Sequence, residues 1–348
     1  MGKKNINKMK ILFVGAFNNP WSTHHPMVSA FRRNKHKVVK FDFRYLALKN
    51  IKLKFQLYSE KFKLYFETFI MYRLYLPDKI RNIKFYFFGN WLMNRQLLKI
   101  VKKNKFDLVF IAKGDTVNYN LIPIINKFSK TWYYFMDPLN VSHEIRAHKY
   151  ALLSTWSSAS TRSMNLLFKK KGANNFYITQ GYNNNVFNPV NNKIKSQDVV
   201  FVGTKTPERE KIVKYLRENG INIQCYGVGW ENKPIYLYEL VKKYHTTKII
   251  LNFPREDSGF SVRVFQVMGT ASFLLSGYCL DFENFFKKGV HLDWFKTPEE
   301  CLNLIKYYLK NGEIREQIAK EGNSYISKKY TWDKIIKNIL DIIENESI

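Results

Sequence analysis

The chain spells the same short pattern twice, and this constrains its fold more than any other feature. "MKILFVGAF" is an apolar run of β-branched and aromatic residues that ends in Gly15. A polar loop leads from it into the helix-like "PMVSAFRRN", and "HKVVKFDFR" supplies a second strand. "KFDLVFIAKG", "KTWYYFMDP" and "YALLSTWS" read as a third, fourth and fifth strand, with helical patterns between them. After the polar segment "NPVNNKIKSQD" the pattern restarts. "VVFVGTK" is a strand, "PEREKIVKYLREN" a helix with Pro207 in its first turn, and "INIQCYG" the next strand. "KIILNFP" and "ASFLLSG" continue this series, and the segments from "PEECLNLIKYYLKN" to "WDKIIKNILDIIEN" are helical.

Apolar strands alternating with helices specify parallel sheets covered on both faces. The expected fold is α/β, with two Rossmann-like doubly wound domains over residues 1–190 and 191–330, a hinge near 190–197, and a last helix over 331–348 that returns to the first domain. A chain of 348 residues, 45% hydrophobic, has room for two such cores. No uncharged apolar run is long enough to span a bilayer, which leads to the expectation of a cytoplasmic protein, with peripheral membrane association left open. Cys225, Cys279 and Cys301 are far apart and lack metal-ligand spacing, so neither a disulfide frame nor a zinc site is expected.

The formal charge of +29 is distributed unevenly. Residues 1–190 hold 33 Lys and Arg against 8 Asp and Glu, whereas residues 191–348 hold 24 against 20. A biased genome would enrich lysine in both halves alike. The asymmetry implies that the first half faces a polyanion, either nucleic acid or an acidic glycan or lipid surface. Phe55, Tyr58, Phe62, Phe66, Phe69 and Tyr72 recur at three- and four-residue steps among basic residues. They read as one face of a helix, either a core stripe or a platform for membrane or stacked bases.

Open parallel sheets bind ligands beyond the carboxyl ends of their strands. His24 in "STHHP", Lys113 in "AKGD" and Asp137 in "MDP" follow the first, third and fourth strands, so they are candidates for orienting a bound ligand or handling its proton. His143 lies six residues beyond Asp137. In the second half, Lys205 and Arg209 flank the turn at Gly203, where they either neutralise a bound anion or are simply solvated. Tyr226 and Gly227 end a strand, where the ring packs either on a base or in the core.

Four stretches resemble the GT-B type of glycosyltransferase. "YITQGYNNNVFNP" matches the family's end-of-first-domain pattern at Gly181, Phe187 and Pro189 and departs from it at Thr179, Gln180 and Asn183. "VVFVGTKTPERE" is similar to the first strand and glycine turn of the donor domain. "DSGFSVRVFQVMGTASFLLSG" and "TPEECLNLIKYYLKNGEIREQIAKEGNSYISKKYTW" resemble the CgeB-like subgroup. The resemblance implies transfer, with retention, from a nucleotide diphosphate sugar (UDP- or GDP-linked) without a metal. Where the wider family has two glutamates, Ser258 and Gln266 stand here; the subgroup's Arg and Phe are kept as Arg263 and Phe265. A glutamine amide still hydrogen-bonds a ribose diol but lacks the charge-assisted strength of a carboxylate. Gly259, Phe260 and Ser261 complete the expected donor turn, and a helix from about Ser261 would present N–H groups to the diphosphate.

The acceptor expected from the charge is a polyanion, with hydroxymethylated pyrimidines in DNA and cell-envelope glycan or lipopolysaccharide as the two candidates. A degenerate transferase kept as a polyanion-binding module is the non-enzymatic alternative. A two-Rossmann epimerase or phosphorylase is disfavoured, since the acid or cofactor lysine each needs has no evident place. No obligate protein partner is implied.

Overall fold

The computed structural model describes residues 8–44, 46, 84–137, 139–191, 194–254 and 259–346. The aromatic stripe from Phe55 to Tyr72 and the candidate Ser258 lie outside the described residues. The chain divides into two units, Met1–Ser158 with Leu167–Phe176, and Ala159–Leu166 with Tyr177–Ile348.

The first sheet contains β1 (Lys10–Gly15), β2 (Lys37–Asp42), β3 (Leu108–Ala112), β4 (Lys130–Phe135), β5 (Trp156–Ala159) and β6 (Asn175–Tyr177) in the order β2-β1-β3-β4-β5-β6. The strand β1 runs parallel to both β2 and β3, and β3 to β4. Every residue of β3 is buried, as a strand covered on both faces requires, whereas Lys37, Val39 and Lys40 of the edge strand β2 are exposed. The helices are α1 (His24–Arg33), α2 (Lys84–Lys103), α3 (Ile122–Ile125), α4 (Leu139–Ile145), α5 (Ala147–Leu153) and α6 (Arg162–Lys170). One expectation is corrected here. "YALLSTWS" is not a strand: Tyr150–Leu153 end α5, and the fifth strand begins only at Trp156.

The second sheet contains β7 (Gln197–Val202), β8 (Ile223–Tyr226), β9 (Thr247–Asn252), β10 (Leu274–Gly277) and β11 (Asp293–Phe295) in the order β11-β10-β9-β7-β8. All its pairings are parallel. Alternate residues of these strands feed two separate cores. Val200, Val202, Ile250 and Leu274 face one of them, with Val264, Phe265, Val267 and Met268 from α9 (Arg263–Gly269) and Tyr244 from α8 (Leu237–Thr246). Val199, Phe201, Ile249, Leu251 and Leu275 face the other, with Val213 and Leu216 from α7 (Pro207–Glu218). Between β10 and β11 lies α10 (Phe282–Phe285), and the chain ends in α11 (Pro298–Lys310), α12 (Gly312–Lys329) and α13 (Trp332–Glu346). Burying one such aliphatic side chain contributes roughly 1.5–3 kcal/mol, so the period-two pattern fixes the strand register.

Two helices begin in the same way. Thr206 caps α7 and Thr297 caps α11, each accepting the N–H three residues on (Arg209 and Glu300), with proline at the first helical position and two glutamates in the first turn. These choices satisfy an orphan donor and complement the helix dipole, which places the start of α7 just beyond β7.

Candidate functional site

In the second sheet the chain runs from β7 to β8 on one side and then crosses to β9 on the other, so the switch point lies between the carboxyl ends of β7 and β9. Two arginines are held by the residues at and just beyond these strand ends. Arg263, at the start of α9, donates from Nη1 to Asn252 Oδ1 at 3.1 Å. Asn252 is buried at the last position of β9, and its Nδ2 donates to Ser276 Oγ at 2.9 Å. The far side of Arg263 approaches Gly203, where an added Cβ would lie 3.3 Å from Nη2. The Tyr244 hydroxyl is beside it, with its pKa pushed up to about 12 by burial despite the cation.

Arg209 is buried and works differently. Nη1 donates to the Thr204 carbonyl at 2.8 Å and Nη2 to the Phe253 carbonyl at 3.3 Å, while the guanidinium lies 5.5 Å from the Phe201 ring centroid. It ties the loop after β7 to the loop after β9. Lys205 is more open: its ammonium pairs with Glu210 at 2.7 Å and lies 5.5 Å from the Trp230 ring centroid. The backbones after β7 and β8 touch. A Cβ on Gly227 would fall 2.1 Å from the Gly203 carbonyl oxygen, and the φ of 145° also demands glycine.

The remaining donor-turn candidates divide. Gln266 is half-buried on the same face of α9 as Arg263, opposite the core residues Val264, Phe265, Val267 and Met268. The helix begins at Arg263, two residues beyond Ser261, whose carbonyl accepts the Val264 N–H at 3.1 Å. Half-buried Gly259 lies against the Thr161 side chain. Phe260 is a core residue, with Phe265, Phe282, Phe285 and Phe286 at centroid distances of 5.3–5.6 Å. Tyr226 donates its hydroxyl to Gln224 Oε1 at 3.0 Å and carries Lys243 Nζ 4.8 Å from its ring centroid, so one ring face is taken. In the stretch matched at Gly181 and Phe187, the visible role is packing. Tyr182 exchanges backbone hydrogen bonds with Tyr330 and Trp332, and Phe187 is buried in the core around α9.

In the first sheet the switch point lies between β1 and β3. His24 opens α1 after β1, and Lys113 and Asp137 stand on the loops after β3 and β4. Lys113 Nζ pairs with Asp137 Oδ2 at 2.6 Å. Lys113 itself has a φ of 64°, at the centre of a tight turn in which the Gly114 N–H returns to the Ala112 carbonyl at 2.9 Å. Such a conformation in a residue other than glycine costs on the order of 1 kcal/mol and is often found where function holds it.

His24 is buried, and its pKa is lowered to about 4, mainly by desolvation and next by Arg44. It is therefore neutral near pH 7. The Ala16 N–H lies 2.8 Å from Nδ1 and the Ala16 carbonyl 3.2 Å from the same nitrogen; the shorter contact has Nδ1 accepting, which places the proton on Nε2. Gly15 allows this approach, because a Cβ there would lie 2.9 Å from Nδ1. Arg44 and Asp115 join the group through an ion pair of 3.1 Å. Sequence reasoning missed this pair, as well as Asn252 and Ser276. A polar residue closing an otherwise apolar parallel strand, as in "KIILN", is the signal that would have found Asn252. Among the described residues, no group of three His, Cys, Asp or Glu is placed to hold a metal ion, and no helix is long and apolar enough to cross a membrane.

Residues 208–341 match a protein-family model described as glycosyl transferase-like. No curated protein sequence matches the chain significantly. Several solved structures share its fold. HepE from Anabaena, crystallised with UDP and glucose, superposes with a TM-score of 0.66 at 11% identity, over 97% of this chain and 100% of its own. Sucrose-phosphate synthase from Thermosynechococcus elongatus gives 0.67 at 9% identity, over 97% and 99%. The lipopolysaccharide outer core galactosyltransferase WaaB gives 0.58 at 11%, over 97% and 100%. The chain thus has the two-Rossmann fold found in GT-B glycosyltransferases, and its C-terminal unit carries the glycosyl transferase-like match.

Proposed function

We propose that the protein transfers a sugar from a nucleoside diphosphate sugar to a hydroxyl of an anionic acceptor. The observation that carries this reading is the placement of Arg263 at the β7/β9 switch point, held by Asn252. A guanidinium fixed there suits the charge that develops as the bond from the anomeric carbon to the diphosphate breaks. Arg209 shapes the same turn, and Lys205 exchanges Glu210 for a phosphate oxygen. Gln266 hydrogen-bonds the ribose in place of a carboxylate. UDP is the favoured nucleotide, because HepE binds it on the same fold. The resemblance to retaining enzymes favours retention.

On the acceptor side, the new bond joins the acceptor oxygen to the anomeric carbon, and the hydroxyl proton must leave. Asp137, oriented by Lys113, is the group we assign to receive it. His24 carries its proton on Nε2 and serves as a hydrogen-bond donor that orients the acceptor. The excess of cations over residues 1–190 argues for a polyanionic acceptor. An envelope glycan is favoured by the likeness to WaaB, and DNA by the size of the charge.

The test is a panel of UDP- and GDP-sugars, assayed for hydrolysis and for transfer to lipopolysaccharide and to hydroxymethylated DNA. Hydrolysis of at least one donor, lost in Arg263→Gln, supports the reading. If no donor is bound, hydrolysed or transferred, the reading is wrong.

A further inference from the structure

Beyond the Lys113–Asp137 pair, the same sheet end carries a second cluster of cations. Lys149 Nζ donates to the Tyr119 hydroxyl at 3.4 Å and lies 5.0 Å from the ring centroid, and Arg146 reaches the same hydroxyl. A phenol oxygen that accepts from an ammonium keeps its own O–H to donate. Its pKa is correspondingly lowered, first by the Lys149 hydrogen bond and then by that of Arg146. His143, His148 and Lys171 stand nearby: the His148 pKa is lowered by burial and then by Lys171, Lys149, His143 and Arg146 in turn.

Two acids of this sheet end are already committed. Asp115 pairs with Arg44 and Asp137 with Lys113, and among the described side chains no Asp or Glu pairs with Arg146, Lys149 or Lys171. The backbone adds an independent sign. Arg146 links α4 to α5 with a φ of 56°, a left-handed conformation that glycine or asparagine would adopt more easily. An arginine kept in that conformation points to use of its guanidinium.

The cluster adjoins the acceptor side through one edge-on and one stacked aromatic pair. Tyr119 lies 5.6 Å from Tyr150, and Tyr150 stacks at 5.1 Å on Tyr133, whose hydroxyl feels the charge of Asp137. The Tyr150 hydroxyl is fixed on the Val117 carbonyl at 2.6 Å, so the wall between the two clusters is held in place.

We propose that Tyr119, Arg146 and Lys149 form an anion subsite that takes a phosphate ester carried by the acceptor. A planar guanidinium, an ammonium and a phenol O–H together offer more donors than the two oxygens of a carboxylate use, and a phosphate has oxygens enough to accept them. The role in acceptor binding rests on the transferase reading, but phosphate binding itself does not.

The full chain is titrated calorimetrically with inorganic phosphate, methyl phosphate and dimethyl phosphate, without any donor. Arg146→Gln and Lys149→Gln should each weaken the tightest of these by roughly tenfold, in line with loss of a charge-assisted hydrogen bond. Exposed Lys103→Gln should have no effect. Arg146→Gly should lose phosphate binding while remaining at least as heat-stable as the parent, because the backbone is relieved; this separates the subsite from a folding defect. The ester preferred tells a phosphomonoester from a phosphodiester source. Absence of phosphate binding in the parent, or binding unchanged in Arg146→Gln and Lys149→Gln, overturns the proposal. Donor hydrolysis is measured in parallel: its absence with phosphate binding intact would defeat the transferase reading and leave the subsite standing.

Discussion

Arg263 and Asn252 form a side-chain pair across the β7/β9 switch point, with Nη1 donating to Oδ1 at 3.1 Å, while Asn252 is itself held by Ser276. The strand end therefore aims the guanidinium, and position 252 should matter to nucleotide binding without touching the nucleotide. Asn252→Ala removes one of the partners that orient Arg263 and should raise the Kd for UDP by about tenfold, equivalent to ~1.4 kcal/mol. Arg263→Lys should not rescue binding, since an ammonium cannot both hold Asn252 and present a planar fork. Calorimetric titration with UDP checks both, and equal affinity in Asn252→Ala and the parent would refute the positioning role.

Two cations that look alike in "TKTPERE" should behave differently. Arg209 is buried and satisfies two loop carbonyls, so Arg209→Ala should cost about 1.5–3 kcal/mol of stability. Lys205 is a partly exposed partner of Glu210, and Lys205→Ala should change stability by less than about 1 kcal/mol. Thermal unfolding of the two variants makes the comparison. Similar melting temperatures would mean that Arg209 is not the tie described here.

These two residues also show what sequence can and cannot convey. Residue type and the distance from Gly203 marked both as cations of the turn, but only the fold determines whether a guanidinium faces carbonyls or solvent. Strands such as "LVFIA" were legible because a fully buried parallel strand has no polar face. The bounds of "WSSA" were not, because Ser157 and Ser158 are buried by hydrogen bonds to Asn175 Oδ1 and from Trp132 Nε1, residues 18 and 26 positions away. Arg263 stood out within a motif, whereas its partner Asn252 lies 11 residues earlier. Phe260 was drawn into the site by its neighbours in the motif, although its ring belongs to a cluster assembled from α9 and α10. Long-range pairing is the information that a local pattern lacks.

His24 should make stability depend on pH in a defined direction. Its folded pKa of about 4 lies below the ordinary 6.5, so the unfolded chain binds more protons between those values. The stability that comes from keeping His24 neutral is present above pH 6.5 and is lost as pH falls toward 4. The full effect is on the order of 3 kcal/mol, as an upper figure, from a shift of this size. Denaturant unfolding of the parent and His24→Asn at pH 7, 6, 5 and 4 should show the difference between them shrinking on acidification. A pH-independent difference would mean that His24 does not titrate in this window.

Duplex DNA and anionic vesicles test the charge of the N-terminal unit directly. Lys102, Lys103, Lys105, Lys127, Lys130, Lys169, Lys170 and Lys171 are all exposed. A polyanion that neutralises several of them releases counterions, so its affinity should fall steeply and linearly on a log–log plot against salt. A neutral glycan offers no such gain. The full chain should therefore bind a DNA duplex or phosphatidylglycerol vesicles at 50 mM salt and lose at least tenfold in affinity by 200 mM, with no binding to phosphatidylcholine vesicles. A steep slope on DNA with little vesicle binding selects a nucleic-acid acceptor, and vesicle binding alone selects an envelope acceptor. If neither binds at 50 mM, the excess charge has no polyanion to meet and the acceptor must be sought among neutral hydroxyl compounds.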